Sequence, residues 1–177
     1  MDFSIIINEW TVYWEGLYTT LFLVAISLLL GLLIAVPLGI LRNSSNWLFK
    51  GPAWAYIYFF RGTPLLIQLF LIYYGAGQWI WLRESAAWEL FSQAWFCAIL
   101  AFTLNTSAYT AEIIRGSINA MPKGQIEAAY AYGMNRMTTL RRIILPNSFR
   151  RALPAYSNEV IFMLHGSAVA GVITIVD

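Results

Sequence analysis

The sequence is poor in the residues that build most enzyme active sites and metal centres. Its 177 residues include one cysteine and one histidine, Cys97 and His165. One cysteine excludes an internal disulfide and a multi-cysteine metal site, and one histidine excludes a two-histidine metal motif. A glycine-rich phosphate loop, a G-x-S-x-G motif and an acidic dyad are also missing. We therefore expect no catalytic residue, no metal and no cofactor bound by this chain.

Charge is also scarce. Charged residues make up 11% of the chain and hydrophobic residues 59%, whereas soluble domains average roughly 25% charged residues. This composition predicts a protein whose solvent is membrane lipid, and it gives no reason to expect a nucleic-acid partner. The predicted fold class is all-α, a polytopic transmembrane helix bundle.

Four segments are long and apolar enough to be read as spans, since a bilayer-spanning helix needs about 20 largely apolar residues. The predicted spans cover residues 16–41, 54–82, 90–111 and 153–176. Basic residues in short loops mark the cytoplasmic side. The connection over residues 115–151 carries seven of the chain's eleven basic residues. Alternation then places this connection in the cytoplasm and the N-terminus outside.

The basic connection has the pattern of two short amphipathic helices. Apolar or small residues recur at helical spacing after Pro122, which is suited to open a helix. These residues are Ile126, Ala129, Tyr130, Gly133, Met134 and Met137. Gly133 predicts a bend, Thr138 a cap for the second helix, and Pro146 its end.

Helices this short are marginal alone in water, so something must receive their apolar faces. The bilayer surface, the protein's own spans and a groove on a partner protein are three candidates. Helical periodicity does not separate them.

The same connection resembles the EAA loop of ABC-importer membrane subunits. The matching pattern is E-A-A, three residues, Gly, nine residues and I-x-L-P, between Glu127 and Pro146. The stretches FRGTPLLIQLFLIYYG (60–75), LNTSAYTAEIIRG (104–116) and ALPAYSNEV (152–160) are similar to the polar amino acid branch of these importers. The sequence most resembles permease subunits of the histidine/lysine/arginine/ornithine and arginine systems.

The resemblance implies one permease domain over residues 1–177, with a fold like that of type I ABC importer permeases. It implies that the EAA loop forms coupling helices for a cytoplasmic ABC ATPase dimer, which binds the ATP. The implied coupling residues are Glu127, Ala128, Ala129, Gly133 and Met134. For Glu127, favourable placement of an acid at a helix N-terminus is a competing role.

Further partners follow from the same resemblance. They are a second permease subunit (the same or a related chain) and a periplasmic or lipoprotein amino acid-binding protein. The implied location is the bacterial inner membrane, and the implied substrates are amino acids, in particular cationic ones. Subunits of this branch usually continue through a fifth span, which is absent from this sequence and leaves dimer packing and pathway closure open.

Polar residues inside predicted spans are costly and suggest functional sites. Asn158, Glu159, Phe162 and His165 lie in the fourth span. A carboxylate, an amide and an aromatic face suit a cationic amino acid, so we predict that these four residues line the substrate pathway. Arg61 joins them, because Gly62 and Pro64 predict a broken helix there.

Structural roles compete with each of these assignments. Glu159 could pair with Arg61, Arg150 or Arg151, and a lone histidine such as His165 often serves packing. Arg61 could instead reach lipid headgroups at the cytoplasmic boundary.

Two further polar groups are predicted to be structural. Glu112 and Arg115 have the spacing of a helical ion pair. Four polar residues of the third span are expected to hold helices together: Asn105, Thr106, Ser107 and Thr110.

Two other functions remain open at the level of residues. One is a channel or gradient-driven transporter, and the other is a non-transporting membrane scaffold whose basic loop binds lipid. The first of these gives the Glu127–Pro146 pattern no purpose.

Overall fold

The computed structural model of the chain describes residues 10–173, apart from the side chain of Val172, and this range contains helices and no strands. The predicted all-helical class is thus confirmed. The helices are α1 (Trp10–Arg42), α2 (Trp47–Gly62), α3 (Leu65–Ala76), α4 (Ile80–Arg83), α5 (Trp88–Phe91), α6 (Ala94–Asn119), α7 (Lys123–Ala131), α8 (Arg136–Thr139), a π-helical segment (Leu140–Ile144), α9 (Leu145–Gly166) and a 3₁₀ segment (Ser167–Ile173).

By length and composition, two helices of the described range are able to cross a membrane, α1 and α6. Helices α2 and α3 pass the same test only as a pair, and they are bent by 101° at a short break, which is the geometry of a broken span or of a re-entrant loop. The break follows Gly62 and includes Pro64, as the sequence indicates. The predicted fourth span corresponds to α9 and the 3₁₀ segment up to residue 173, and residues 174–176 lie outside the described range.

Helix α6 forms the centre of the bundle. Helices α1, α2, α3 and α9 all pack against it. In the most apolar 18-residue window of each helix, 67% of the window is buried in α6 and 33% in α1. Because α6 is surrounded, its polar side chains face other helices rather than lipid.

Small residues allow α1 to approach α6 closely. Ser27, Gly31, Ala35 and Gly39 recur every four residues along the buried face of α1. A Cβ atom added at Gly31 would collide with the methyl group of Thr106, and one at Gly39 would lie 3.0 Å from the carbonyl oxygen of Ala111. Small residues at such contacts favour helix association in lipid, because backbones can then pack directly.

The contacts also fix helix directions. Phe22, in the first half of α1, meets Trp95 at the start of α6, with ring centroids 6.0 Å apart, and Arg42 at the end of α1 meets Glu112 further along α6, with Nε 3.7 Å from Oε1. Helices α1 and α6 therefore run parallel, as first and third spans of an alternating topology would.

The predicted Glu112–Arg115 ion pair is present, with Nη2 of Arg115 2.7 Å from Oε2 of Glu112. The same Glu112 carboxylate also faces Arg42 of α1, so the three charged groups form one cluster. The cluster ties the ends of α1 and α6 together next to the basic connection.

The basic connection differs from the predicted pair of separate helices. Asn135, not Thr138, caps the second helix, since the Oδ1 atom of Asn135 accepts a hydrogen bond from the backbone N–H of Thr138 at 2.8 Å. Pro146 does not end that helix. Helix α8 continues through the π-helical segment into α9, so one helical segment extends from Arg136 to Gly166.

The position of Pro146 explains this continuation. It follows the π-helical segment directly, as the second residue of α9, so the turn before it has to accommodate the missing N–H and the proline ring. The preceding turn is π-helical, with the N–H of Leu145 bonded to the carbonyl of Leu140. The side-chain amide of Asn147 donates to the carbonyl oxygen of Ile143 at 2.8 Å. A widened turn and one side chain thus accommodate the proline without breaking the helix.

We predict that Gly31→Leu destabilises the bundle, because the larger side chain forces α1 away from α6. Overpacking of this kind costs about 1–3 kcal/mol, which a lower midpoint of thermal unfolding in detergent would report. Gly16→Leu in the same helix is the control, since no atom lies within 4 Å of a Cβ added there. Equal midpoints for both variants would contradict the close-packing role of Gly31.

Candidate functional site

The break between α2 and α3 is held by two buried amides. The side-chain amide of Gln68 donates to the carbonyl oxygens of Phe60 (2.8 Å) and Thr63 (3.0 Å), at the free end of α2. Asn105 of α6 donates to the Oε1 atom of Gln68 at 3.1 Å. Backbone groups freed at a helix break must find partners within the protein when no water is present. Gln68 and Asn105 supply these partners and attach the break to α6.

A cavity of about 640 Å³ lies between this break, α6 and α9. The break contributes Thr63 and Pro64, and α6 contributes Asn105 and Tyr109. From α9 come three of the predicted pathway residues: Asn158, Glu159 and Phe162. The volume falls in the usual range of about 300–1,000 Å³ for ligand pockets. The structure therefore brings these three predicted residues together at one cavity.

Glu159 is the buried acid of this cavity. It is 8% exposed, and its Oε1 atom accepts a hydrogen bond from the hydroxyl of Thr106 at 2.9 Å. Thr106 lies at the midpoint of the 26-residue helix α6, so the carboxylate lies midway along the bundle. Within residues 10–173 it forms no ion pair shorter than 4.0 Å, and the predicted alternatives with Arg61, Arg150 and Arg151 are not formed.

Arg61 is an exposed residue beside the cavity. Its guanidinium carbon is 5.2 Å from the centroid of the Tyr109 ring, and Tyr109 is one helical turn from Thr106. Arg61 lines an adjoining cavity of about 520 Å³, which shares Thr63 with the first and is also lined by Arg42 and Glu112. Both roles considered for Arg61, pathway residue and headgroup contact, stay predictions.

His165 is separate from this group. It is exposed and is not among the residues that line either cavity. Phe162, in contrast, lines the first cavity and is 72% exposed, so one wall of the cavity is open. The geometry gives His165 no part in the cavity.

The polar residues of α6 mainly join helices, as expected. Asn105 and Thr106 make the bonds described above, and the hydroxyl oxygens of Ser107 and Tyr56 are 2.6 Å apart. The hydroxyl of Thr110 has no hydrogen-bond partner in the described part of the chain. The sequence analysis did not identify Gln68 or Tyr109 as residues of this site. Nothing in the two stretches that contain them, FRGTPLLIQ and SAYTAE, indicates that these stretches lie next to each other in the fold.

The candidate coupling residues surround the turn after α7. Gly133 has φ +78°, and the N–H of Met134 bonds to the carbonyl of Ala129. This is the hydrogen-bond pattern of a glycine-terminated helix. Glu127 and Ala128 are exposed, Met134 is half-buried and Ala129 is buried. Of the five predicted coupling residues, Glu127, Ala128 and Gly133 are exposed and accessible to a partner.

The sequence pattern did not single out Tyr132, which is the most exposed large side chain of this turn at 87%. Met137 is also exposed, at 62%. These two side chains add apolar surface on either side of Gly133. The surface formed by Glu127, Ala128, Tyr132, Gly133 and Met137 is called the coupling surface below.

Comparison with known proteins identifies the family. The family profile described as "Binding-protein-dependent transport system inner membrane component" matches residues 27–176. The chain belongs to this family. Its members are inner membrane components of transport systems, so the resemblance noted in the sequence is confirmed.

Several relatives of this permease are amino acid transport subunits. The nopaline transport system permease protein NocM of Agrobacterium fabrum is 47% identical, over 100% of this chain and 74% of the relative. The arginine ABC transporter permease protein ArtM of Haemophilus influenzae is 45% identical, over 92% and 71%. The histidine/lysine/arginine/ornithine transport system permease protein HisM of Escherichia coli is 46% identical, over 92% and 68%.

Solved structures agree on the fold of the permease. A crystal structure of an amino acid ABC transporter with histidines superposes with a TM-score of 0.85 at 36% identity, covering 100% of this chain and 78% of the other. An inward-facing MetNI methionine ABC transporter gives a TM-score of 0.80 at 22% identity, over 94% and 76%. The fold is therefore that of ABC importer permeases, as expected.

We predict that Gln68→Leu lowers the free energy of unfolding by about 1–3 kcal/mol, because it leaves buried polar groups unpaired. Denaturant unfolding in detergent measures this change. Gln78→Leu, at an exposed position, is the matched control. In the double variant with Asn105→Leu, the loss should be smaller than the sum of the single losses, because the two amides bond to each other. Additive losses would contradict the joint role.

Proposed function

We propose that this permease forms the membrane pathway of an ATP-driven importer that carries cationic amino acids into the cytoplasm. The observation that supports it most is Glu159, a buried acid midway along the bundle that faces a cavity and has no cationic partner within 4.0 Å among residues 10–173. A separate cytoplasmic ATPase binds and hydrolyses the ATP. The proposed substrates are arginine, lysine, histidine and ornithine.

The energetics of Glu159 favour a cationic ligand. A carboxylate in a low-dielectric setting is costly unless it is paired. Here the carboxylate has one hydrogen bond, from the neutral hydroxyl of Thr106. A passing ammonium or guanidinium group would supply the missing charge, and the exposed ring of Phe162 offers a cation–π surface beside it. Asn158 adds an amide that accepts or donates a hydrogen bond.

The relatives support the same substrate class. The names of ArtM and HisM specify arginine and the group histidine, lysine, arginine and ornithine. The chain shares almost half of its residues with each of them over 92% of its length. This level of identity favours a common class of substrate, and Glu159 provides a physical reason for it.

The continuous helix from Arg136 to Gly166 offers a mechanical link between the coupling surface and the cavity. Its start adjoins Gly133, and its far part carries Asn158, Glu159 and Phe162. A force applied at the coupling surface would move the cavity wall directly, because a packed helix moves as a rigid element. Switching between two packings of this kind is how many transporters alternate access.

The proposed assembly has several partners. An ABC ATPase dimer docks on the coupling surface, and a second permease subunit covers the open side of the pathway. A periplasmic or lipoprotein amino acid-binding protein delivers substrate to the outer face, where the N-terminus lies. The parallel course of α1 and α6 supports this orientation, because it puts the start of α1 at the end of the bundle opposite the basic connection.

We predict that Glu159→Gln lowers transport of arginine and lysine at least about tenfold relative to a neutral amino acid. The change removes the charge but keeps the shape and the acceptor for Thr106, and hydrogen bonds to charged groups are worth roughly 1.5–3 kcal/mol. Uptake of radiolabelled amino acids into proteoliposomes that contain ATP measures the effect.

Glu89→Gln is the matched control, since Glu89 is an exposed acid outside the bundle. Equal effects on cationic and neutral substrates would remove the case for charge pairing at Glu159. Uptake that stops when ion gradients collapse, with ATP still present, would instead indicate a gradient-driven transporter.

We also predict that Gly133→Leu abolishes transport while membrane insertion stays normal. A bulky side chain strains the left-handed backbone by about 1–2 kcal/mol and projects from the coupling surface, where no atom of the described residues other than its chain neighbours lies within 4 Å. Transport assays together with co-purification of the ATPase measure the loss.

Gly133→Asn separates the two causes, because asparagine tolerates this backbone conformation. If docking requires a small residue, the asparagine variant also loses ATPase capture. If only backbone conformation matters, the asparagine variant retains it. Normal transport by the leucine variant would contradict docking at this turn.

A further inference from the structure

Two opposite charges lie close to the proposed site without forming an ion pair. Arg61 packs against Tyr109, which also lines the cavity of Glu159, yet no ion pair shorter than 4.0 Å joins Arg61 and Glu159 in the part of the chain described. Glu159 is buried beside the midpoint of α6, and Arg61 is exposed about one helical turn further along that helix.

Each group is held by a different neighbour. The hydroxyl of Thr106 donates to Glu159, and the ring of Tyr109 lies under the guanidinium of Arg61. The Tyr109 hydroxyl also donates to the backbone carbonyl of Arg61, at 3.5 Å. Tyr109 itself lines the cavity of Glu159. Thr63 lines both the cavity of Glu159 and the cavity of Arg61, so the two cavities adjoin at this residue.

A free amino acid carries opposite charges of its own. Its α-carboxylate is negative, and its ammonium or guanidinium groups are positive. We propose that Arg61 binds the α-carboxylate of the transported amino acid while Glu159 binds a cationic group of the same molecule. This inference rests on the proposed function, and it adds a requirement for a free carboxylate on the substrate.

Arginine is suited to this role. Its planar guanidinium donates two parallel hydrogen bonds to one carboxylate, which a lysine ammonium does not reproduce. Arg61 has no carboxylate within 4.0 Å in residues 10–173, whereas Arg115 and Arg42 are paired with Glu112. Contact with the Tyr109 ring holds the guanidinium in place and leaves its edge donors available. Tyr109 is accordingly a positioning residue for Arg61.

The test compares ligands that differ only at the carboxyl group. The permease is purified with its ATPase in lipid nanodiscs, and binding of L-arginine and L-argininamide is measured by isothermal titration calorimetry. Direct binding avoids selection by the binding protein. We expect the wild type to bind L-arginine at least about tenfold more tightly than the amide, since charged hydrogen bonds contribute roughly 1.5–3 kcal/mol.

The variant Arg61→Gln should lose this discrimination. Its affinity for L-arginine should fall at least about tenfold, to the level of the amide, whose affinity should stay constant or rise. Arg61→Lys should retain part of the preference, because it keeps the charge but not the paired donors. Arg83→Gln removes a positive charge from an exposed position near the outer connection and should leave both affinities unchanged.

Other results would overturn the inference. If Arg61→Gln weakens L-arginine and its amide by the same factor, Arg61 supports the fold and does not bind the carboxylate. If the variant leaves L-arginine binding unchanged, Arg61 does not contact the substrate.

The same measurements with L-glutamine and its carboxyl amide separate this inference from the proposed function. If glutamine binds and arginine does not, the cationic substrate class fails, while Arg61→Gln still tests the carboxylate contact. If the wild type binds neither pair, both proposals are wrong.

Discussion

The structure depends on satisfying polar groups where lipid offers no hydrogen bonds. The chain turns by 101° between α2 and α3, which frees backbone carbonyls in the middle of the bundle. The side-chain amide of Gln68 donates hydrogen bonds to these carbonyls. Asn105 donates a hydrogen bond to Gln68 and so attaches it to the central helix. Without this pair, the break would cost several unmade hydrogen bonds. With it, the chain forms a rigid corner, and that corner is one wall of the cavity that contains Glu159.

The central helix α6 explains why a mostly apolar protein carries a polar stripe. Its residues Asn105, Thr106 and Ser107 contact three different elements: the break, α9 and α2. Such bonds in a membrane contribute modest energy each, about 0.6–2 kcal/mol, but they fix which faces meet. Helix α1 approaches α6 closely at Gly31 and Gly39, against Thr106 and Ala111. Close packing and polar bonds thus act together on the same helix.

Much of the fold was predictable because hydrophobic length and basic loops are local properties. The all-helical class, the break at Gly62 and Pro64, and the bend at Gly133 follow from residue types within a few positions of each other. Pro146 was read wrongly as a helix end. The π-helical turn before it and the Asn147 side chain let the helix continue. The local preference of proline for helix ends does not predict this continuation of the helix.

The sequence by itself determined that this chain is helical, lies in lipid and presents a family-specific loop, because each of these depends on composition, periodicity or local spacing. Only the tertiary structure decided which polar residues meet. Thr106 and Glu159 are 53 positions apart in the chain and 2.9 Å apart in space, and Tyr109 reaches Arg61 across 48 positions. It also decided that His165 stays away from the cavity and that Ala129 is buried. The physical reason is that such contacts depend on how whole helices cross, and helix crossing is set by long-range packing.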